Sequence, residues 1–357
     1  MTVVLAIGTR KGLWLATSTD GRATWELTGP RHPMTDVYAV GFDTRRDTPR
    51  LLAGVTSEHW GPSVAVSDDL GATWHEPDHA PVAFPADTGA ALRRVWQFAF
   101  GPPDVVYAGS EPSALWRSAD GGETYELVRG LWDHPHREKW GEGFGGQAIH
   151  SIVPHPTDPD RVTVAMSTGG VYVTADGGAS WEPRNQGIAA WFEPDPYPEF
   201  GQCVHKIAQH PSHPDRFFAQ NHGGVYRSDD AGRTWASIAD GLPADFGFPM
   251  VVHPHRPDVV YTVPLVADAM RFPPEGRCRV YRSEDAGGSW TGLGTGLPDS
   301  CWTGVLRDAM CVDSADPAGV YFGTRSGTVY ASRDEGEHWQ PVAEHLPDVL
   351  CVRAAVV

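Results

Sequence analysis

This 357-residue chain is poor in positive charge, has no closely paired cysteines and contains no long apolar run. Each absence excludes something. With 28 Lys and Arg against 45 Asp and Glu, the formal net charge is −17. A phosphate backbone or an anionic lipid surface would be repelled, so neither nucleic acid nor membrane is an expected partner. No stretch approaches the roughly 18 apolar residues that a membrane-spanning helix needs. The five cysteines, Cys203, Cys278, Cys301, Cys311 and Cys351, are odd in number, widely spaced and without a CxxC pair. Reduced thiols and a cytoplasmic location are the expectation. The opening MTVVLAIGTRKG lacks the basic start, apolar core and small-residue cleavage site of a secretory leader, which agrees with that location.

What is abundant points to a turn-rich β protein. The chain carries 40 Gly and 31 Pro, which argues against helices, and its 41% apolar content is ample for a large core. An eight-residue pattern, Ser/Thr-x-Asp-x-Gly-x-Thr/Ser-Trp, recurs seven times, starting at residues 18, 67, 118, 174, 228, 283 and 332. Four copies are complete: SDDLGATW, TADGGASW, SDDAGRTW and SEDAGGSW. The other three differ at one place each, with Tyr125 for Trp, His338 for the hydroxyl residue and Arg22 for Gly. So regular a period overrides the two or three domains that length alone would suggest. The chemistry suits a hairpin turn: Asp accepts backbone N–H groups, Gly supplies positive φ, and Trp packs between sheets. Asp69, Asp120, Asp176, Asp230, Asp285 and Asp334 are therefore expected to be scaffold.

Each copy joins two short strands, and two further strands precede it, so each unit reads as a four-stranded propeller blade. The prediction is an all-β, seven-bladed β-propeller in one domain. Blade 1 takes residues 1–29 plus 348–357, blade 2 36–77, blade 3 93–128, blade 4 147–183, blade 5 202–238, blade 6 247–292 and blade 7 305–341. Only two strands precede the first copy, and DVLCVRAAVV at the end has no blade of its own. That last strand is expected to complete blade 1 and close the ring.

Strand direction puts the repeat turns on one face and the candidate site on the other, at the channel mouth. Aligning the blades brings Tyr38, Trp96, His150, His205, Phe248 and Asp308 to one equivalent position near that mouth. The adjacent turns add Arg10, Lys11, Glu58, Trp60, Glu111, Asn221, His222, Asp268, Arg271 and Arg325. Arg10, Lys11 and Arg325, joined by Arg307, form a cationic arc suited to a carboxylate, sulfate or phosphate. His150, His205, Glu111 and Asp308 form an opposing set capable of acid–base work. Glu58, Trp60, Trp96 and Asn221 are further candidate ligand contacts. A second reading has His150, His205 and His222 holding a divalent transition metal. A third has these groups as inter-blade salt bridges and channel caps. Aromatic-rich loops carry Trp132, His134, His136, Trp140 and Phe144, then Trp191, Phe192, Tyr197 and Phe200. Such rings suit sugar faces or cover the rim by packing on one another. GEGFGG at 141–146 is followed by no helix and is set aside as a phosphate loop.

The repeated octapeptide is similar to the Asp-box, or BNR repeat, so the chain resembles the Asp-box propeller superfamily. That group includes sialidases, xyloglucanase propellers, sortilin-type receptors and photosystem II assembly factors. The chain looks most like compact bacterial proteins of sialidase-like, glycosyl hydrolase type. The resemblance implies a hydrolase or lyase acting on an anionic or sugar-like small molecule, as a monomer. It departs from true sialidases, which are six-bladed and carry an Arg-Ile-Pro signature; Arg31-His32-Pro33 is the nearest string here. The non-enzymatic alternative is a scaffold that binds a partner protein on the mouth face.

Overall fold

The computed structural model describes residues 1–75, 79–143 and 146–357. Seven antiparallel sheets follow one another along the chain, six of four strands and one of three. In blade 4, for example, the inner strand Ile149–Pro154 pairs with Val162–Met166, then Gly170–Thr174, then the short outer Glu182–Pro183. Blade 2 departs from four strands among the described residues. Asp36–Asp43, Arg50–Ser57 and Gly61–Ser67 form its sheet, and an isolated bridge from Val66 to His75 stands in the outer place.

The ring closes as the sequence implies. Val349–Val356 lies antiparallel along Val3–Thr9, in register from Val3–Val356 to Thr9–Val349, and becomes the inner strand of the first sheet. Leu5 and Ile7 on the seam are wholly buried, so apolar burial and ladder hydrogen bonds act together there. A second lock joins blades 7 and 1. The Arg22 guanidinium lies 3.2 Å from Asp313, both buried, and also donates to the Pro317 carbonyl. Arg22 occupies the glycine place of its repeat at φ 70°, so this ion pair accompanies a backbone shape that glycine would adopt more easily.

All seven repeat turns share one hydrogen-bond pattern. In the second, Ser67 Oγ donates to Asp69 Oδ1 and accepts from Gly71 N, while Thr73 N and Oγ1 both donate to Asp69. In the seventh, His338 Nδ1 replaces the hydroxyl, 2.8 Å from Asp334 Oδ2. Trp290 Nε1 donates to Ile238 O at the edge of the previous blade, which ties the turn to the neighbouring sheet. On the same face, His155, His210 and His253 accept backbone N–H groups within tight turns.

Two expectations follow. Deleting 349–357 removes the seam and is expected to abolish cooperative thermal unfolding; a truncated chain with an unchanged melting transition contradicts the closure. The carboxyls of Asp69, Asp176 and Asp285 are held down at about 2, first by the hydroxyls of Thr73, Ser180 and Ser289. An unfolded Asp titrates near 3.9. Their contribution is therefore complete above about pH 4 and lost as pH falls towards 2. Melting temperature measured against pH is expected to drop across that window, less steeply in Asp176→Asn.

Candidate functional site

Near the mouth, the inner strands break register in six of the seven blades; the blade 7 ladder from Met310 to Val312 runs without a break. The ladders skip Tyr38, Trp96, His150, His205 and Leu350, and in blade 6 the break spans Phe248 and Pro249. A bulge leaves one residue unpaired and re-aims its side chain. Here it turns side chains toward the axis. Tyr38, Trp96, His205, Phe248 and Leu350, with Asp308 of blade 7, line a cavity of about 760 Å³ at the mouth. Arg10, Arg94, Glu111, His222, Asp268, Arg271, Arg307 and Arg325 also reach it.

His150 does not join them. It is wholly buried, with Nε2 3.1 Å from Ser167 Oγ and Nδ1 without a hydrogen-bond partner. Burial, then the Arg307 charge, holds it well below the ordinary imidazole range, so it is a neutral wall residue. Asn221 is equally buried and donates to the Ala189 and Gly223 carbonyls, which fixes the turn before His222. Lys11, Glu58 and Trp60 are exposed away from the cavity; Trp60 keeps 92% of its surface in solvent. These five residues leave the candidate site.

The carboxylates and arcs are also rearranged. Glu111 is held between Arg93 and Arg94, at 3.5 and 3.2 Å, and accepts from Trp96 Nε1. Asp308 receives Lys206 Nζ at 2.7 Å and the Arg353 guanidinium. Burial alone would raise the Asp308 carboxyl, but Lys206 and Arg353 outweigh it and keep it ionised. Lys206 belongs to blade 5, Asp308 to blade 7 and Arg353 to blade 1, so this triad bridges the channel at the cavity floor. An ionised, doubly paired carboxylate is a poor proton donor, which corrects the acid–base reading of Asp308. In the cationic arc, Arg325 pairs with Asp348 at 2.7 Å, and Arg10 with Asp36 and Asp348 at 3.1 and 3.5 Å. Arg10 and Arg325 are thus engaged as inter-blade struts.

Arg307 differs. No carboxylate pairs with it among the described residues, and its Nε is buried without an acceptor. Its guanidinium lies 5.2 Å from the Trp96 ring and 5.5 Å from the Phe248 ring. Beside it, His205 stacks on Phe248 and donates Nδ1–H to the Gly247 carbonyl at 2.6 Å. Burial, then Arg307, keeps that ring neutral. Cys203, His205 and His222 each present one ligand atom, all within 4.8 Å of one another. Cys203 therefore stands where the sequence reading placed His150 in its metal set.

The aromatic loops divide. Trp140 and His136 both bond the Tyr172 hydroxyl, and His136 stacks on Phe200, so this part packs on itself. Phe144 lies outside the described residues. Trp191, Phe192 and Tyr197 stay exposed, and Phe192 borders the cavity.

These features define a seven-bladed β-propeller with a polar cavity at one end of its channel. No protein-family model matches the chain. It is similar to the xyloglucanase of Hypocrea jecorina, 24% identical over 277 residues, covering 76% of this chain and 27% of that protein. It is also similar to the oligoxyloglucan-reducing end-specific xyloglucanase of Emericella nidulans, 26% identical over 217 residues, covering 56% and 24%. The chain thus spans about a quarter of the length of these relatives. The crystal structure of the GH74 xyloglucanase from Xanthomonas campestris matches with a TM-score of 0.65 at 19% identity, over 96% of this chain and 53% of that one. That likeness shows the propeller fold.

Removing the Asp308 carboxylate leaves Lys206 and Arg353 facing each other uncompensated. Asp308→Ala is expected to cost about 3–5 kcal/mol in urea unfolding, as breaking a buried ion pair does. A loss below about 1 kcal/mol, the range of surface ion pairs, would contradict the triad's structural role.

Proposed function

We propose that this protein is a sugar-acting hydrolase or lyase of sialidase-like, Asp-box propeller type, binding an anionic substrate in the mouth cavity. Arg307 is the observation that carries the reading. A guanidinium stays charged at any physiological pH, and burying it in an aromatic wall without a paired carboxylate, the neighbouring Asp308 being held by Lys206 and Arg353, is costly unless a ligand supplies a closer counter-charge. A carboxylate, sulfate or phosphate on the substrate meets that need through charge-assisted hydrogen bonds. Phe192, half-exposed at the cavity rim, offers a face for a sugar-like ring beside it. Similarity to xyloglucanases supports carbohydrate as the substrate class, and the anion preference is argued from Arg307 alone. The proton-handling or metal chemistry belongs to the wall of His205 and His222, not to His150, Glu111 or Asp308. All five cysteines are buried and free, which supports a reducing compartment.

Intrinsic tryptophan fluorescence tests this, because Trp96 borders the ligand space. Hexuronates and sulfated sugars are expected to bind, and neutral counterparts far more weakly. Arg307→Met is expected to fold with an equal or higher melting temperature and to lose roughly 10- to 100-fold in affinity for the anionic sugars, the equivalent of one charged hydrogen bond. Equal binding of neutral and anionic sugars, or an unchanged affinity in Arg307→Met, overturns the proposal.

A further inference from the structure

We infer that Cys203, His205 and His222 form a three-ligand site for a zinc-class divalent cation, with its open coordination position facing the mouth cavity. The inference deepens the reading of the histidine wall, and it does not require the cavity's ligand to be anionic.

Strand register brings the three side chains together. Val204 pairs with Asn221 across the first two strands of blade 5, so the residues flanking that pair come together at the mouth end. Cys203 and His205 flank Val204, and the bulge after Val204 frees His205 from the ladder. His222 follows Asn221 and donates its backbone N–H to the Cys203 carbonyl at 2.9 Å, which fixes the third corner. The three ligand atoms lie within 4.8 Å of one another. Tetrahedral zinc with bonds of about 2.0–2.3 Å holds its ligands roughly 3.5 Å apart, so ligand atoms within 4.8 Å of one another close by about 1.3 Å at most.

The surroundings match those of a ligating imidazole. The Gly247 carbonyl can only accept, so Nδ1 of His205 carries the proton and Nε2 keeps its lone pair. A ligating histidine is ordinarily held in this way, by a carbonyl or carboxylate on its far nitrogen. A carboxylate also stands beside His222, with Asp268 Oδ2 3.4 Å from its Nε2, within ion-pair range. Cys203 and His205 are buried while His222 is part-exposed, which leaves one side of the triangle open to the cavity. Burial raises the Cys203 thiol and Arg307 opposes that rise, so the residue is protonated until a cation displaces the proton. One thiolate and two imidazoles favour zinc, cobalt or copper over magnesium or calcium.

The test uses the untagged full chain, stripped with a chelator and titrated with Co²⁺ as the probe, without sugar. The expected result is one Co²⁺ per chain with a sulfur-to-cobalt charge-transfer band. Cys203→Ser is expected to lose the band. His222→Asn, at a part-exposed position that tolerates substitution, is expected to weaken uptake at least tenfold. Zn²⁺ is expected to raise the melting temperature of the wild type and not of Cys203→Ser. Absence of stoichiometric uptake at micromolar metal, a cobalt spectrum without the sulfur band, or uptake unchanged in both variants overturns the inference. Sugar binding, read by fluorescence in the chelated protein, reports on the anion proposal separately.

Discussion

The pairing of Val349–Val356 with Val3–Thr9 is the contact on which the rest depends. Seven stacked sheets left as an open arc would expose a face at each end, and this seam, by adding the last strand to the first sheet, ties the two ends together. Its entropic cost is moderate for its span. Loop closure grows with the logarithm of length, so joining ends some 350 residues apart costs roughly 5 kcal/mol beyond a constant. Buried Leu5 and Ile7 and a ladder broken only at Leu350 offset that cost. The seam also builds the mouth. It sets Arg353 against Asp308 and forms the parallel bridge from Asp308 to Cys351. It also places Asp348 between Arg10 and Arg325. An open ring would lose the floor of the cavity and one side of its rim together.

The two faces of the disc use polar groups differently. At the repeat turns, each Asp is saturated by groups two to four residues away. Such turns are self-contained, and they tolerate Arg22 or His338 where glycine or a hydroxyl is usual. At the mouth, partners come from distant blades, as Lys206, Asp308 and Arg353 do. Arg307 and Asp308 are adjacent in sequence yet treated differently: Asp308 has two cations, while no carboxylate pairs with Arg307 among the described residues. A buried charge without a paired partner, facing a cavity, is where a ligand has something to contribute.

This division explains what was legible in the sequence. The octapeptide is local, so its seven copies, the blade count and the closing strand could be read directly. The mouth position was legible too, since aligning the blades gives Tyr38, Trp96, His150, His205, Phe248 and Asp308 without any coordinates; the ladder breaks there, and Leu350 of blade 1 among them, were not. Partners were not. Nothing near Arg10 or Arg325 in sequence reveals that Asp36 and Asp348 occupy them, and blade alignment does not say that Lys206 reaches Asp308 across the channel. His150 and His205 share nearly the same pentapeptide, yet one ring faces Ser167 in the wall and the other lines the cavity. Cys203 was passed over because cysteines were weighed as disulfide or CxxC pairs. The signal was a Cys-x-His string at a strand start, facing an Asn-His turn across the ladder.

Arg307 and the Cys203–His205–His222 triangle occupy one wall, and their charges bear on each other. A dication near a guanidinium would ordinarily be repelled. The thiolate that the metal creates removes one of its two charges, and Arg307 and Arg271 both act to stabilise what remains on sulfur. Asp268 lies behind His222 and supplies a further negative charge. In the proposed site, the remaining positive field is shared between the open coordination position and the guanidinium. An oxyanion bridging the two would neutralise both and be held at two points, fixing its orientation against Trp96 and Phe248. A neutral sugar would satisfy neither. On this reasoning the anion preference and the metal site reinforce each other physically, although each is read by its own measurement.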